Sequence, residues 1–168
     1  MSDSSASPAQ GLPEALAREA LQGPSLKARA LKLLSLREHT RLELERKLAA
    51  HAESAEQLAE ALDALQARGF INEARVVESV VHRRAARLGA SRVRQELQAK
   101  GVAQGAITEA VQALRSTELA RAREVWARKF GAPAAEPKER ARQIRFLVAR
   151  GFAPEVVRRV VQGADAED

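Results

Sequence analysis

The chain has 168 residues, no cysteine, only 3% aromatic residues, and 28 Lys+Arg against 22 Asp+Glu, a net charge of +6. The lack of cysteine excludes a disulfide framework and any thiolate metal site. No apolar run approaches the roughly 18 residues of a membrane span, and the N-terminus lacks a basic region followed by an apolar core. These features predict a soluble, cytoplasmic, helical protein with an aliphatic core and a surface that attracts polyanions or acidic proteins.

Residues 1–24, rich in Ser, Ala, Pro and Gly, read as a mostly disordered leader. Ser25 can cap a first helix carrying Leu26, Ala30, Leu33 and Leu34. Thr40-Arg41-Leu42-Glu43 reads as a capping box opening a helix with Leu44 and Leu48. Ser54-Ala55-Glu56-Gln57 reads as another, opening a helix with Leu58, Ala61, Leu62 and Leu65 that Gly69 stops. Val76, Val77, Val80 and Val81 then share one stripe only if the backbone is helical. Valine is a mediocre helix former, so burial of that stripe must supply the stability.

Gly89 is read as the stop of that helix, and Ser91 as the cap of the next, which carries Val93 and Leu97 and ends at Gly101. Ile107, Ala110, Val111 and Leu114 mark a further helix, and Leu119, Ala122, Val125, Trp126 and Phe130 a longer one before Gly131. After the GAPAAEP loop, Pro137 suits a first helical turn before Ile144 and Leu147. Pro154 opens a last helix with paired valines, and residues 163–168 form an acidic, frayed tail.

A repeat underlies this order. Apolar residues stand ten and fourteen positions after Leu48 (Leu58, Leu62), after Leu97 (Ile107, Val111) and after Leu147 (Val157, Val161). The period of 49 to 50 residues points to internal duplication. The predicted fold is therefore all-α: three tandem three-helix repeats at 25–69, 70–115 and 116–162, forming an elongated, curved array.

Charge is unevenly spread along the repeats. Between Glu78 and Glu96 lie five arginines and no acid, and Lys138 to Arg159 holds seven basic residues against two acidic ones. Leu26 to Gly69 is near neutral, with eight basic and seven acidic residues. The candidate binding surface is therefore Arg83, Arg87, Arg92, Arg94, Lys100, Arg142, Arg145, Arg150, Arg158 and Arg159. Arg84 falls in the valine stripe by helical phase, so either an ion pair is expected there, with Glu96 on the next helix the candidate partner, or the helix end turns outward and Arg84 joins the basic surface. His39, His51 and His82 are scattered, have no ligand companions and read as surface or capping residues, so no metal site is expected. Nothing resembles a phosphate-cradling glycine loop, and no cofactor is expected. Trp126, Phe70, Phe130, Phe146 and Phe152 read as core, leaving few rings for base stacking.

The ordered residues also carry a resemblance. Leu36-Arg37-Glu38-His39-Thr40, Glu43-Leu44 and Lys47-Leu48 resemble the opening of the RecX family, bacterial regulators of the RecA recombinase. Gly69-Phe70-Ile71-Asn72-Glu73-Ala74-Arg75, Arg84, Gly89, Glu96-Leu97 and Lys100-Gly101-Val102 continue it, and Lys129-Phe130-Gly131, Arg145-Phe146-Leu147 and Arg150-Gly151-Phe152 complete it. The chain departs from the family pattern at Asn72, where an acid is usual, and at Val76 and Val80, where aromatics are usual.

The resemblance implies a non-enzymatic protein of tandem three-helix repeats that acts in homologous recombination, DNA repair and the SOS response. It would bind RecA–DNA filaments, lie in their helical groove, and restrain filament growth, ATP hydrolysis and strand exchange. The expected partners are the RecA filament and, weakly and salt-dependently, DNA, with the chain itself a monomer. The competing reading is a stand-alone, non-specific DNA-binding helical-repeat protein, because three-helix units can place a helix in the major groove. Against it, no helix rich in Asn, Gln and Arg accompanies a dimerisation face.

Overall fold

Ser25 Oγ accepts the Ala28 amide at 3.2 Å and opens α1 (Leu26–Leu36), as its position before an apolar periodic stretch predicts. The computed structural model describes residues 23–163. The expectations for the leader and the acidic tail lie outside these residues, apart from Gly23, Pro24 and Gly163. Among the described residues every regular element is helical. After α1 come α2 (Arg41–Leu48), a 3₁₀ turn (Ala49–His51), α3 (Ala55–Ala67), α4 (Glu73–Arg84), α5 (Ala90–Ala99) and α6 (Gln104–Arg115). Three more follow: α7 (Glu118–Lys129), α8 (Pro137–Ala149) and α9 (Pro154–Val161).

The caps form largely as the sequence predicts. Thr40 Oγ1 accepts the Glu43 amide at 3.1 Å and Glu43 Oε2 accepts the Thr40 amide at 3.0 Å, a closed capping box. Ser54 accepts from the Gln57 amide, but the Gln57 carbonyl oxygen takes the Glu53 amide instead of that of Ser54. Asn72 Oδ1 accepts the Arg75 amide at 3.0 Å, so the amide caps α4 as a carboxylate would. Ser91 is not the cap expected of it. Helix α5 begins one residue before it, with Gly89 as N-cap.

Gly89 is there for space. A Cβ on Gly89 would stand 2.2 Å from the Gly151 carbonyl oxygen. Its φ of −76° is ordinary, so it is no left-handed helix stop. The left-handed stops lie elsewhere, at Gly69, Gly101, Gly131 and Gly151, each with φ between 75° and 85°.

Packing divides the chain into two compact units. One holds Leu44–Ile71 with the described residues up to Arg37; the other holds Glu38–Glu43 and everything from Asn72 on. The first has a core of Leu26, Ala30, Leu44, Leu48, Leu58, Leu62, Leu65 and their neighbours. The second has two cores. One gathers Val76, Val80, Val93, Leu97, Ile107, Val111 and Leu114 from α4–α6; the other gathers Ala122, Val125, Leu147, Phe152, Val157, Val160 and Val161 from α7–α9. All nine residues picked out by the ten-and-fourteen spacing are buried. Val76 and Val80 are core as well. One expectation fails here: Phe70 is 44% exposed rather than core. Of the two readings of His39, its 1% exposure excludes the surface one.

Within the second unit, the first turn of α7 ties its two cores together. Glu118, 3% exposed, accepts the Ala90 amide on Oε1 at 2.7 Å and the Ala153 amide on Oε2 at 3.4 Å. Its carboxylate thus faces the N-termini of α5 and α9, where unpaired amides and the helix dipole favour negative charge. One turn on, Arg121 does the reverse. Its guanidinium donates to the carbonyls of Ala85 at 2.8 Å and Leu88 at 2.7 Å, just past α4, and to that of Leu114 at 2.8 Å in the last turn of α6. Burial pushes the Arg121 pKa below its ordinary value, and the attraction of Glu118 partly restores it. Gly89 and Ser91 complete the joint by donating their amides to the carbonyls of Arg150 and Gly151.

Replacing Glu118 with Ala leaves the buried Ala90 amide unpaired and Arg121 without its counter-charge. The expected loss is about 2–3 kcal/mol of unfolding free energy, read as a lower urea midpoint. A midpoint unchanged from the parent chain would show that the joint contributes nothing.

Candidate binding surface

Arginine and lysine side chains are long, and where each head ends up depends on what its stem packs against. In the acid-free stretch Arg83 and Arg87 are exposed at the end of α4 and just after it, and Arg83 Nε donates to the Ser79 carbonyl at 3.3 Å. Arg84 pairs with Glu96 on α5, Nε to Oε2 at 2.9 Å, with side-chain exposures of 44% and 23%. The pair is therefore only partly withdrawn from water, which keeps the desolvation cost low and its net contribution to about 1 kcal/mol or less. Arg92 is exposed, but its stem lies against Gly151, where an added Cβ would stand 2.3 Å from Arg92 Cγ. Arg94 is half-buried.

Lys100 leaves the expected surface. Its Nζ donates to Glu43 Oε1 at 2.7 Å, with the two side chains only 14% and 13% exposed. Its carbonyl accepts the Thr40 hydroxyl. Lys100 holds the start of α2, through Glu38–Glu43, to the turn after α5. The reason the sequence hides this is distance along the chain: 57 residues separate the partners.

In the last repeat, Arg158 and Arg159 are exposed on α9. Arg142 and Arg145 line a depression on α8 with Lys138, where Glu136 and Glu139 offset part of the charge, and Arg142 lies 3.5 Å from Glu139. Arg150 is different. Its guanidinium stacks 3.7 Å from the centroid of Phe146, whose edge in turn meets Phe130 in a T-shaped contact. Such a cation–ring contact contributes about 0.5–1 kcal/mol and holds an otherwise mobile head in place.

Arg87 and Arg150, 63 positions apart by number, meet at one cleft of about 250 Å³. Val125 and Phe146 give it an apolar floor, and Arg128 and Lys129 add two more cations; no acid is among the residues lining it. Arg128 and Lys129 escaped the sequence reading because they lie in α7, outside the acid-free stretch and the Lys138–Arg159 run, with Glu118 and Glu124 interspersed among the four basic residues of that helix. Glu118 and Arg121 escaped it too, since an acid and a base three apart on a helix ordinarily read as a solvated pair. Chemically, the surface can bind carboxylates or phosphates. Among the described residues no group of three His, Asp or Glu could hold a metal ion, and no helix is long and apolar enough to cross a membrane.

Comparison with known proteins matches this architecture. A family model for the second three-helix domain of RecX matches residues 72–111, and one for the third three-helix domain matches residues 116–161. The regulatory protein RecX of Leptothrix cholodnii is 58% identical over 143 residues, covering 85% of this chain and 91% of its own. That of Ralstonia nicotianae is 52% identical over 142 residues, covering 84% and 89%. A crystal structure of a regulatory protein RecX superposes with a TM-score of 0.68 at 22% identity, covering 90% of this chain and 80% of the other. RecX from Lactobacillus salivarius gives 0.69 at 19% identity, covering 83% and 94%. At those identities the structural likeness speaks for the fold.

The geometry of Lys100 makes a checkable distinction. Lys100→Ala removes the cation that faces Glu43 Oε1 in a nearly buried pair and should cost about 2–3 kcal/mol in denaturant unfolding, while leaving anion affinity unchanged. Equal stability with weakened anion binding would return Lys100 to the binding surface.

Proposed function

The chain belongs to the RecX family of regulatory proteins, and from that membership we propose that it binds the RecA recombinase and RecA–DNA filaments and restrains RecA's ATP hydrolysis, filament growth and strand exchange. The observation that carries this reading is the 58% identity to a regulatory protein RecX across 85% of the chain. RecX is a regulatory family rather than an enzyme family, and the chain's exposed chemistry suits docking. Arg83, Arg87, Arg92, Arg145, Arg158 and Arg159 offer charge to acidic protein or phosphate. We take residues 25–69, 70–115 and 116–162 as the three repeats, each contributing contacts. Several weak contacts on one chain add through effective concentration, so inhibition is expected at protein levels below those of RecA subunits.

The RecA reading is tested by adding the full chain to RecA on single-stranded DNA at low salt and following ATP hydrolysis and strand exchange. Both should fall at equal molar ratio. Arg83→Glu with Arg87→Glu should weaken inhibition by about tenfold with an unchanged circular dichroism melt. Intact RecA activity in the presence of the parent chain would overturn the proposal.

The second reading, direct DNA binding, is favoured by the exposed cations of the second and third repeats. It predicts weak, sequence-indifferent affinity that falls steeply with salt. Arg92→Ala with Arg94→Ala should flatten the plot of log affinity against log salt by about one unit per lost phosphate contact. An unchanged slope would assign both arginines to solvent or to a protein partner.

A further inference from the structure

The cleft lined by Arg87, Arg128, Lys129 and Arg150 joins two features that seldom serve the same ligand. Its rim is cationic, and its floor, Val125 and Phe146, is apolar. A nucleic-acid backbone would satisfy the rim and leave the floor uncovered. A base could cover the floor only by stacking on Phe146, but the Arg150 guanidinium already lies 3.7 Å from that ring's centroid and Phe130 abuts the ring as well. An aliphatic side chain needs only the remaining apolar contact. Arg150, held on the ring, keeps the in-plane donors of its guanidinium for a carboxylate, whose two oxygens match that fork. Arg128 lies 3.6 Å from Glu124 with both side chains 66% exposed, a contact so solvated that an incoming carboxylate displaces it at little cost.

We propose that this cleft is a docking site for an acidic segment of a partner protein, which seats one aliphatic side chain on Val125 and Phe146 while flanking carboxylates meet the four cations. The proposal rests on the reading that the chain acts by docking on a protein, and it names the chemistry of the docked segment. The two helix groups that build the cleft are fixed to each other by Glu118, Arg121 and the Gly89–Arg150 hydrogen bond, so Arg87 and Arg150 hold their spacing before any ligand arrives.

The test is fluorescence anisotropy with the full chain at low salt and three labelled probes of equal net charge. One is a short peptide of Asp and Glu with a single central Leu; one has that Leu replaced by Ser; one is oligothymidylate. The Leu peptide should bind, and the Ser peptide should bind about tenfold more weakly, as expected for one buried aliphatic side chain. Arg87→Glu and Lys129→Glu, both exposed, should each weaken the Leu peptide by about tenfold. Arg140→Glu, exposed on α8 and outside the cleft, should change it little. Should either charge reversal lower the melting temperature, the milder Arg87→Ala and Lys129→Ala should still weaken binding in the same direction.

Equal binding of the Leu and Ser peptides would overturn the proposal, as would failure of the Leu peptide to bind. Tighter binding of oligothymidylate, lost in the same two variants, would assign the cleft to nucleic acid and overturn it as well. No RecA is present in this assay, so the two readings fail separately. Peptide binding without any effect on RecA sinks the proposed function and keeps the cleft. Inhibition of RecA by a chain that fails to bind the Leu peptide sinks the cleft and keeps the function.

Discussion

Helix ends carry opposite partial charges, and wherever several meet, something must neutralise them. In the second unit that task falls to one turn of α7. Glu118 sits against two N-termini and Arg121 against the ends of two other helices, and both are anchored on the same short stretch of backbone. A single acid or a single base could satisfy only half of this arrangement. Because the two are three residues apart, satisfying one set of helix ends places the other residue correctly. The spacing of Arg87 from Arg150, and hence the cleft between the two cores, follows from that placement.

The duplication extends to these contacts, beyond the apolar spacing. Glu73, first residue of α4, accepts the Ala103 amide at the start of α6 at 3.3 Å, just as Glu118, first residue of α7, accepts the Ala153 amide at the start of α9. Leu42 lies where a Cβ on Gly101 would go, and Arg92 lies where a Cβ on Gly151 would go, each pair 59 positions apart. In both places the start of one repeat's second helix rests on the glycine turn of the next repeat. The later copy differs in chemistry: Arg92 replaces leucine, and Gly89 lets backbone meet backbone where Thr40 uses a hydroxyl. A side chain at Gly101 or Gly151 would have to displace Leu42 or Arg92, the residue packed against it.

Much of this was readable from the residues. Helix identity followed from valine pairs and capping residues, because both are local: a cap needs only its own first turn. The nine spaced apolar residues were readable because burial on one helical face imposes a period. What escaped was non-local. Lys100 looked like a surface cation until Glu43, 57 residues away, was found against it. His39 reads equally as surface or cap, because nothing in its sequence neighbourhood signals burial. The Arg84–Glu96 contact could be anticipated because only a short turn separates the two helices. Arg128 and Lys129 were lost in a helix where acids are interspersed with bases, and only the fold brings them beside Arg87 and Arg150.

The tie through α7 also sets an order of events during synthesis. A ribosome releases α4–α6 before α7, so the helix ends at Ala85, Leu88 and Leu114 emerge with no guanidinium to meet them. Their core of Val80, Val93, Leu97 and Ile107 can collapse at that stage, but the joint waits for Arg121 and closes only when Gly151 is also in place against Gly89. The joint in the middle of this protein is finished by residues that follow it in the chain.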